Sequence, residues 1–384
     1  MSAKPIFIAA YGVVCALGRD REAVAAQLFS ANPPVVSGAG VLMDGRTPPV
    51  GRLAFEVETA GKTRTNRIAA HCYQEVAEAV SAWREAHGAA RLGVVLGSCT
   101  SGVGEAGEAL KIKATTGHWP QGFTVKHQQL GDAARYVAAL SGAEGPCYAV
   151  STACTSGVRA IGAAARLIRA DLCDAVICGG VDSICDLTLN GFAALDSISD
   201  AVCNPMSANR RGINIGEGGA MFLLTRDESA MCFSGFGESA DGYHASAPDP
   251  EGRGAELALR RALAMAGLAP DDIGFVHQHG TATRLNDAME AKLIHRMFGA
   301  ETPSSSTKPL TGHTLGAAGA LQAAFCILAF EHGRLPPHIW DGVYDPELPR
   351  VRLAGVAEHC DARHLLSASY AFGGNNAALV VSRA

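Results

Sequence analysis

The sequence has no cysteine pair of the CxxC type, although its 384 residues include 12 cysteines. These cysteines are scattered along the chain, whereas a disulfide framework is typical of short secreted chains. In a chain of this length they indicate small buried hydrophobic residues in a reducing compartment. We therefore expect a cytoplasmic protein in which one or two thiols are reactive and the others are packed in the core.

The sequence also has no excess of positive charge. It contains 32 lysine and arginine residues against 37 aspartate and glutamate residues, which gives a formal net charge of −5. A general nucleic-acid binder needs a basic surface, so this class is excluded. An acidic partner would have to meet a local basic patch.

Long apolar runs are missing as well, because no run in the sequence reaches the length of about 20 apolar residues that a transmembrane helix needs. The N-terminus combines Lys4 with an apolar run over residues 6–11, as a signal peptide does. However, no small-x-small cleavage site follows, and the run is too short to cross a bilayer. We therefore interpret it as a buried first strand, and we expect no membrane span.

The remaining composition is that of a globular protein, with 48% apolar and 18% charged residues. Short apolar runs that end at Gly or Ser predict buried strands, and stretches with helical periodicity lie between them. This alternation predicts an α/β protein with mostly parallel sheets covered on both faces. The predicted strands are Ile6–Ala10 and residues 91–100, 174–183, 219–227, 273–281 and 376–384, and the predicted helices are residues 65–86, 156–170, 253–268, 286–299 and 316–333.

The two halves of the chain loosely repeat one pattern. Two such halves, stacked on each other, would bring two helix N-termini to a common centre, and the boundary lies near residues 230–250. Residues 101–147 look irregular and do not fit the repeat, so we expect an insertion that covers a functional site or a subunit interface. In the first half, a strand at residues 91–98 is followed by a loop and helix at 151–170 and a second strand at 174–182. In the second half, the corresponding segments are residues 273–279, 311–330 and 376–382.

Cys154 lies in the segment YAVSTACTSGVRAIGAAARLIRA, just before a predicted helix. Unpaired N–H groups and the macrodipole at a helix N-terminus lower the pKa of a thiol, which favours a nucleophile here. Thr155 and Ser156 suit a helix cap or first turn, and Ala153 and Gly157 would leave room for a bulky acyl group. A lone cysteine is more often a buried structural residue, so this segment alone leaves both interpretations open.

Two histidine motifs favour the catalytic interpretation. His279 follows a predicted strand in HQHGTATRLNDAMEA, and His313 precedes a Gly- and Ala-rich helix in SSTKPLTGHTLGAAGA, with Lys308 five residues earlier. The loop SYAFGGNNAAL carries Gly373 and Gly374, whose backbone N–H groups could point at an oxyanion. A single histidine is usually structural, but two in small-residue loops are less easily dismissed.

Taken together, the segments STACTSG, HGTAT with the following ND and EA, STKPLTGHTLGAAGA and AFGGNN resemble the β-ketoacyl-acyl-carrier-protein synthases of the chain-elongating type. The resemblance covers nearly the whole chain. It implies a thiolase-like fold, in which two duplicated βαβαβαββ halves form five layers in the order αβαβα. We therefore divide the chain into residues 1–235, with the nucleophile and an insertion at about 101–147, and residues 236–384, with both histidines.

The same resemblance implies the chemistry. Cys154 would take an acyl chain from a carrier protein's phosphopantetheine thioester. Neutral imidazoles of His279 and His313 would donate hydrogen bonds to the malonyl thioester carbonyl and stabilise the enolate left by decarboxylation. The enolate would attack the acyl-cysteine and give a β-ketoacyl product two carbons longer. The His/His pair indicates an elongating synthase, since initiating synthases of this fold resemble Cys/His/Asn.

The resemblance assigns further residues around these three. Lys308 matches the active-site lysine of the family. The backbone N–H groups of Cys154 and Phe372 match its oxyanion hole, and Phe372 also matches the gate of the acyl pocket. Acidic positions after the first histidine motif could be structural or catalytic. The gate and supporting residues are Phe372, Gly373, Gly374, Thr281, Thr283, Asp287 and Glu290.

The family also implies partners. A carrier protein is acidic, so its docking surface should be basic and sensitive to salt. No metal or cofactor is implied, because the substrates arrive on the carrier protein's pantetheine arm. A homodimer, or a heterodimer with a chain-length factor, is expected through an interface strand at residues 145–153. The candidate docking charges, each of which could equally be an ordinary solvated side chain, are Lys62, Arg64, Arg67, Arg210 and Arg211.

Three other functions compete with the synthase interpretation. A chain-length-factor-like partner subunit keeps the fold but loses the cysteine, which is present here. A degradative thiolase would need a second cysteine in the last loop, and SYAFGGNN has none. A cysteine hydrolase would need an attacking water, which nothing in the sequence supplies.

Gln322 stands where elongating synthases commonly carry Glu. This departure from the family pattern favours a specialised polyene or polyketide-like pathway over bulk fatty-acid synthesis.

Overall fold

The computed structural model describes residues 6–57 and 61–384. Its strands are β1 (Ile6–Val14), β2 (Gly38–Ala39), β3 (Pro49–Val50), β4 (Leu92–Gly97), β5 (Cys147–Val150), β6 (Ala175–Asp182), β7 (Gly218–Thr225), β8 (Met231–Ala240), β9 (Phe275–His277), β10 (Pro303–Ser305), β11 (Arg352–Leu353), β12 (His364–Ala371) and β13 (Asn375–Arg383). Its helices are α1 (Arg21–Leu28), α2 (Arg64–Gln74), α3 (Ala77–His87), α4 (Val103–Thr116), α5 (Asp132–Ser141), α6 (Ser156–Arg169), α7 (Asp186–Ala194), α8 (Arg253–Ala266), α9 (Arg284–Phe298), α10 (Lys308–Thr311) and α11 (Ala318–His332).

The strand order shows the duplication directly. Eleven strands form one mixed sheet in the order β11-β10-β9-β12-β13-β8-β1-β7-β6-β4-β5, and β2 pairs with β3. It contains two sets of five strands, β5-β4-β6-β7-β1 and β10-β9-β12-β13-β8. In each set the first three strands are parallel and the fourth is antiparallel to both neighbours. The sets meet where β1 pairs with β8, and this confirms the predicted thiolase-like topology.

Helices separate and cover the two sets of strands. Helices α6 and α11 contact each other and strands of both sets, so they form the central layer. Helices α2 and α5 cover the outer face of the first set, and α8 and α9 cover the second, which completes the order αβαβα. The segment Leu315–His332 is long and apolar enough to cross a membrane, but 89% of it is buried inside the protein, as in a core helix.

Some details of the prediction were wrong. Residues 65–86 form two helices, α2 and α3, because the chain turns at Glu75 and Val76. Residues 101–147 are not irregular, since they contain α4 and α5. Strands β8 and β12 were missed because Ser and Gly interrupt their apolar pattern. A division at residue 235 falls inside β8, all of which belongs to the second set, so we propose a division before Met231.

The two central helices approach each other closely at their N-terminal ends. An added Cβ on Gly157 in α6 would lie 2.9 Å from the Gly316 carbonyl oxygen and 3.1 Å from the Ala320 Cβ. Gly157 therefore permits this packing and, contrary to the prediction, leaves no space for an acyl chain. The contact brings together the loops that precede α6 and α11, which carry Cys154 and His313.

Candidate active site

Cys154 lies in the turn that links the edge strand β5 to helix α6. Ala153 has a φ of 53°, a left-handed conformation that is strained for a residue with a Cβ atom. The Thr152 N–H donates to Ser156 Oγ at 2.9 Å, and Ser156 Oγ donates to the Ala153 carbonyl oxygen at 2.5 Å. Cys154 is 8% exposed, and the next residue, Thr155, is the N-cap of α6. The turn thus holds the sulfur at the start of a central helix.

His313 is fixed beside Cys154 by a short pairing of backbone segments. Its N–H donates to the Asn214 carbonyl oxygen at 2.6 Å, and its own carbonyl accepts from Gly216 N at 2.9 Å. An added Cβ on Gly216 would come within 2.2 Å of the Thr311 carbonyl oxygen, so this close approach requires glycine. As a result, His313 Nε2 lies 3.0 Å from Cys154 Sγ.

His279 approaches this pair from the end of β9, in the second set of strands. The N–H groups of His279 and Gly280 donate to the two carboxylate oxygens of Glu290 at 2.6 and 2.7 Å. Lys308 Nζ donates to the carbonyl oxygen of His279. The ring centroids of His279 and His313 are 5.2 Å apart. One nitrogen of each ring and the Cys154 sulfur all lie within 4.8 Å of one another. We call Cys154, His279 and His313 the site trio.

Burial controls the protonation of the site trio. It raises the pKa of the Cys154 thiol to about 12, against the opposing effect of the Lys308 charge. The net shift is therefore upward, opposite to the lowering expected from a helix N-terminus, because burial removes solvation from the thiolate. Burial and the Lys308 charge hold the pKa values of His279 and His313 well below their usual range. The resting site is a neutral thiol beside two neutral imidazoles.

The site trio is also the one cluster, within residues 6–57 and 61–384, whose donor atoms are close enough to hold a metal ion. A cysteine that binds a metal must be a thiolate. Burial instead favours the protonated thiol of Cys154. The protonated thiol instead forms a hydrogen-bonded pair with His313 Nε2.

A buried carboxylate that sequence reasoning missed connects the loop after β4 to the loop of His313. Asp182 Oδ1, at the end of β6, accepts hydrogen bonds from Ser98 Oγ and Cys99 N at 2.8 Å. Its Oδ2 accepts from Gly316 N at 2.7 Å, three residues after His313. A charged residue at the end of the apolar run DAVICGGVDS was the signal that could have identified it.

The supporting residues divide into two groups. The hydroxyl oxygens of Thr281 and Thr283 are 2.9 Å apart, and both residues line the cavity above the site trio. Asp287 is fully buried and accepts from Met206 N at 3.0 Å and Ala282 N at 3.2 Å. Since Met206 and Ala282 have φ values of 64° and 61°, Asp287 stabilises two strained turns. Its role is therefore structural.

Phe372 begins the turn between β12 and β13 and lines the same cavity. Its side chain is 37% exposed, and its ring centroid lies 5.7 Å from that of Phe192. Gly373 and Gly374 have φ values of 79° and 70°, which favour glycine. The Gly373 N–H donates to the Ala245 carbonyl oxygen at 2.7 Å. It is therefore not free to contact an oxyanion, in contrast to the prediction.

A cavity of about 930 Å³ contains the site trio and extends to exposed side chains. The site trio is buried, so it forms the inner end. The other end, which we call the mouth, is polar and charged. The exposed residues that line the mouth include Asp196, Asp200, Asn209, Arg211 and Arg284.

Two of the candidate docking charges do not fit that role. The Arg64 guanidinium donates to the buried Glu217 carboxylate at 2.6 and 2.7 Å. Arg210 is 6% exposed and forms an ion pair with Asp345. Both guanidinium groups are therefore occupied inside the protein. The other three candidates are more accessible: Lys62 and Arg211 are exposed, and Arg67 is partly buried.

Gln322 belongs to a buried uncharged network behind the histidine loop. Its Nε2 donates to His277 Nδ1 at 2.9 Å and to the Gln278 carbonyl oxygen at 2.6 Å, and its Oε1 accepts from Ser369 Oγ at 3.3 Å. His277 Nε2 lies 3.3 Å from Thr307 Oγ1. Burial lowers the pKa of His277 to about 3. Sequence reasoning did not single out His277, which completes this network.

Comparison with protein families agrees with the motifs. The family described as beta-ketoacyl synthase, N-terminal domain, matches residues 50–230, and the C-terminal domain of the same synthases matches residues 231–340. The 3-oxoacyl-[acyl-carrier-protein] synthase 2 of Staphylococcus aureus is 35% identical over an alignment of 256 residues that covers 62% of this chain. The aligned part spans 64% of that relative's length, which is less than two thirds.

Two further relatives are similar over most of the chain. The tetracenomycin polyketide synthase ketoacyl synthase alpha subunit of Streptomyces glaucescens is 32% identical over an alignment of 362 residues, which covers 87% of this chain and 84% of the relative. A chain in the solved complex of a ketosynthase with its chain length factor from Xenorhabdus doucetiae is 37% identical. Its TM-score is 0.95, with 99% of this chain and 98% of that chain covered. The chain described here therefore belongs to the β-ketoacyl synthase family.

Proposed function

We propose that the chain catalyses the decarboxylative condensation of a malonyl group with an acyl chain held on Cys154, both delivered by acyl carrier protein. The observation that carries the proposal is the 3.0 Å contact between His313 Nε2 and Cys154 Sγ, with the His279 ring 5.2 Å from the His313 ring. This chemistry requires a nucleophile, a proton acceptor and donors for a developing oxyanion. The site trio can supply all three.

In the first step the Cys154 sulfur attacks the thioester carbonyl of the acyl carrier. Because the thiol is protonated at rest, His313 Nε2 accepts its proton as the new carbon–sulfur bond forms. The bond to the carrier sulfur then breaks, and the departing carrier thiol receives that proton. The charge of Lys308, which lowers the pKa of Cys154, stabilises the negative charge that develops on the attacking sulfur.

In the second step a malonyl carrier protein occupies the cavity. The neutral ring of His279 donates a hydrogen bond to the malonyl thioester oxygen, where negative charge develops as CO₂ leaves. His313 donates a second one once its proton has moved, by exchange with solvent, from Nδ1 to Nε2. The enolate carbon attacks the carbonyl carbon of the acyl-cysteine, the carbon–sulfur bond to Cys154 breaks, and the sulfur takes up a proton from solvent. The scheme needs no metal or redox cofactor, because the leaving CO₂ provides the electron pair.

The cavity suits the pantetheine arm of the carrier. The arm has amide and hydroxyl groups, and the Thr281 and Thr283 hydroxyls line the path from the mouth to Cys154. Phe372 lines the same path, where its ring can separate the arm from the acyl pocket. We therefore assign the two threonines to substrate positioning and Phe372 to gating.

We also propose that β5 forms a subunit interface. It is the edge strand of the sheet, and its residues Cys147 and Tyr148 are exposed. An unpaired edge strand is a template for pairing with another chain. The partner is a second copy or a chain-length factor, as in the X. doucetiae complex. The S. glaucescens relative is a polyketide synthase subunit, which favours a polyketide-like or polyene pathway.

The second candidate function is a chain-length-factor-like subunit without catalytic activity. The X. doucetiae complex contains a chain length factor beside its ketosynthase. The buried Cys154 and the two rings around it favour the catalytic alternative, because a subunit that carries out no chemistry has no need of the site trio.

Intact-mass measurement distinguishes the two functions. The protein is incubated with a panel of acyl carrier proteins that carry different chains, alone and with a candidate partner subunit. We expect the mass of the wild type to increase by the mass of the acyl group, and the mass of Cys154→Ala to stay unchanged. When malonyl carrier protein is then added, the acyl group should leave the wild-type protein and a β-ketoacyl product should form. An unmodified cysteine under all of these conditions would support the non-catalytic subunit.

A further inference from the structure

Four arginines line the cavity, and they differ in their partners. Arg210 is buried in an ion pair with Asp345. Arg46 donates to Asp44 at 2.8 Å and to Asp200 at 3.1 Å, so its charge is neutralised within the protein. Arg211 and Arg284 are both exposed at the mouth. Neither has an ion-pair partner among the described residues. Both guanidinium groups therefore remain available to a ligand at the mouth.

The backbone holds these two arginines on connected segments. The Gly212 N–H donates to the Ala282 carbonyl oxygen at 2.9 Å, so the residue after Arg211 is bonded to the residue two before Arg284. The buried Asp287 carboxylate fixes the Ala282 end of this connection through the Ala282 N–H at 3.2 Å. The bases of both side chains are thus rigid, while their guanidinium groups extend into the mouth.

The surroundings of the pair also favour an anion. Arg284 is the first residue of α9, a helix of 15 residues, and the N-terminal end of a helix carries a partial positive charge. Asp200 is already paired with Arg46. Asp196 and Asp241 also line the cavity and oppose the two arginines, so the preference for an anion comes from arginine hydrogen bonding and the helix end rather than from net charge.

We propose that Arg211 and Arg284 bind the phosphodiester of the carrier protein's phosphopantetheine arm. This inference rests on the proposed function, which places the thioester end of the arm at Cys154. The opposite end of the arm is a phosphodiester, and it lies at the mouth when the thioester lies at the inner end. Arginine is suited to this role because its planar group can donate two parallel hydrogen bonds to phosphate oxygens.

The test compares two small thioesters with the same acyl group, acyl-pantetheine and acyl-4′-phosphopantetheine. The rate of Cys154 acylation is followed by intact mass for the wild type and for the double variant Arg211→Ala/Arg284→Ala. We expect the wild type to prefer the phosphorylated thioester by about tenfold in kcat/KM, as for a charge-assisted hydrogen bond. In the double variant this preference should fall to about one.

Variants that keep or remove other charges serve as controls. Arg211→Lys/Arg284→Lys should retain part of the preference, and Arg52→Ala, an exposed arginine outside the cavity, should retain all of it. An unchanged preference in the double alanine variant, or equal losses with both thioesters, would overturn the phosphate assignment. A wild type that prefers neither thioester would overturn it as well.

A binding measurement separates this inference from the proposed function. Calorimetry with the Cys154→Ala protein requires no chemistry, and 4′-phosphopantetheine should bind more tightly than pantetheine. If wild-type Cys154 is not acylated by either thioester but this binding preference is present and depends on the two arginines, the catalytic proposal fails and the phosphate site stands. If acylation occurs without the binding preference, the phosphate site fails.

Discussion

His313 Nε2 lies 3.0 Å from the Cys154 sulfur, although the two residues are 159 positions apart in the chain. The contact depends on the central layer, where the N-terminal ends of α6 and α11 meet at Gly157 and Gly316. Each helix comes from a different half of the duplicated chain. The site trio therefore exists because the two halves stack with their corresponding helices face to face, and neither half contains it alone.

The first prediction separates the two histidines. In His279→Ala, condensation should fall by about 100-fold or more, the usual effect of removing an oxyanion donor. Acylation of Cys154 should change by only a few-fold, because His313, not His279, makes the hydrogen bond to the sulfur. Intact mass measures the acylation rate, and chromatography of the β-ketoacyl product measures condensation.

His313→Ala is the matched comparison for this prediction. It should slow both steps, since the same nitrogen accepts the thiol proton and later donates to the oxyanion. His118→Ala, at an exposed position, should change neither rate. Equal loss of acylation and condensation in His279→Ala would contradict the assigned division of roles.

The second prediction concerns the close approach of the central helices. Gly157→Ala places a methyl group 2.9 Å from the Gly316 carbonyl oxygen, so α6 must move away from α11. We expect a loss of about 1–3 kcal/mol in the free energy of unfolding, as for overpacking of a core, together with slower acylation. Urea denaturation measures the first effect and intact mass the second.

The control for this substitution lies in α4. An added Cβ on Gly107 has nothing within 4 Å, and replacing glycine by alanine inside a helix stabilises it by about 0.5–1 kcal/mol. Gly107→Ala should therefore be neutral or stabilising. Similar destabilisation by both substitutions would show that helix packing at Gly157 is not the cause.

Much of the fold could be predicted, because buried strands such as β4, β6 and β7 are short apolar runs between turns. Strand β12 could not, since Ser367 and Ser369 alternate with its apolar residues. The hydroxyl of Ser369 donates to Gln322 on α11. Its burial thus depends on a partner from a remote helix, which local periodicity cannot show.

The site shows a similar division. Motifs could place Cys154 and the two histidines in small-residue loops, but the pKa of the thiol could not be inferred from its position at a helix N-terminus. Burial raises that pKa, and burial is a property of the packed protein. The same limit applies to Arg210, since the Asp345 carboxylate that binds it is 135 residues away.

The third prediction contrasts two consecutive arginines. Arg210→Ala removes the partner of Asp345 in a buried ion pair, so we expect a loss of about 3–5 kcal/mol in the free energy of unfolding. Arg211 is exposed, and Arg211→Ala should change this free energy by less than about 0.5 kcal/mol. Urea denaturation of both variants gives the comparison, and equal effects would refute the contrast.

The fourth prediction tests the uncharged network around Gln322. In Gln322→Glu, a carboxylate would face His277 Nδ1 and the Gln278 carbonyl oxygen without a hydrogen to donate. We expect a loss of about 1–3 kcal/mol in the free energy of unfolding at pH 8. The loss should be smaller at pH 6, because a protonated carboxyl or imidazole restores a donor. Gln121→Glu, at an exposed position, should show no such pH dependence.

The fifth prediction concerns the pH dependence of stability. His338 is buried, where its Nδ1 accepts from Ser306 N at 3.1 Å and its Nε2 donates to the Pro205 carbonyl oxygen at 3.0 Å. Burial lowers its pKa to about 4. Below the usual pKa of about 6.5, the unfolded chain binds a proton that the folded protein does not, so stability falls as the pH falls.

His338→Asn removes this one contribution and leaves the other buried titratable groups in place. Between pH 6.5 and 5.5, the free energy of unfolding should therefore fall by about 1 kcal/mol less in the variant than in the wild type. The comparison holds although the pKa values of the buried Asp182 and Asp287 are raised, because both proteins contain them. Urea denaturation at the two pH values measures the difference, and parallel pH profiles would mean that His338 has the same pKa in the folded and the unfolded protein.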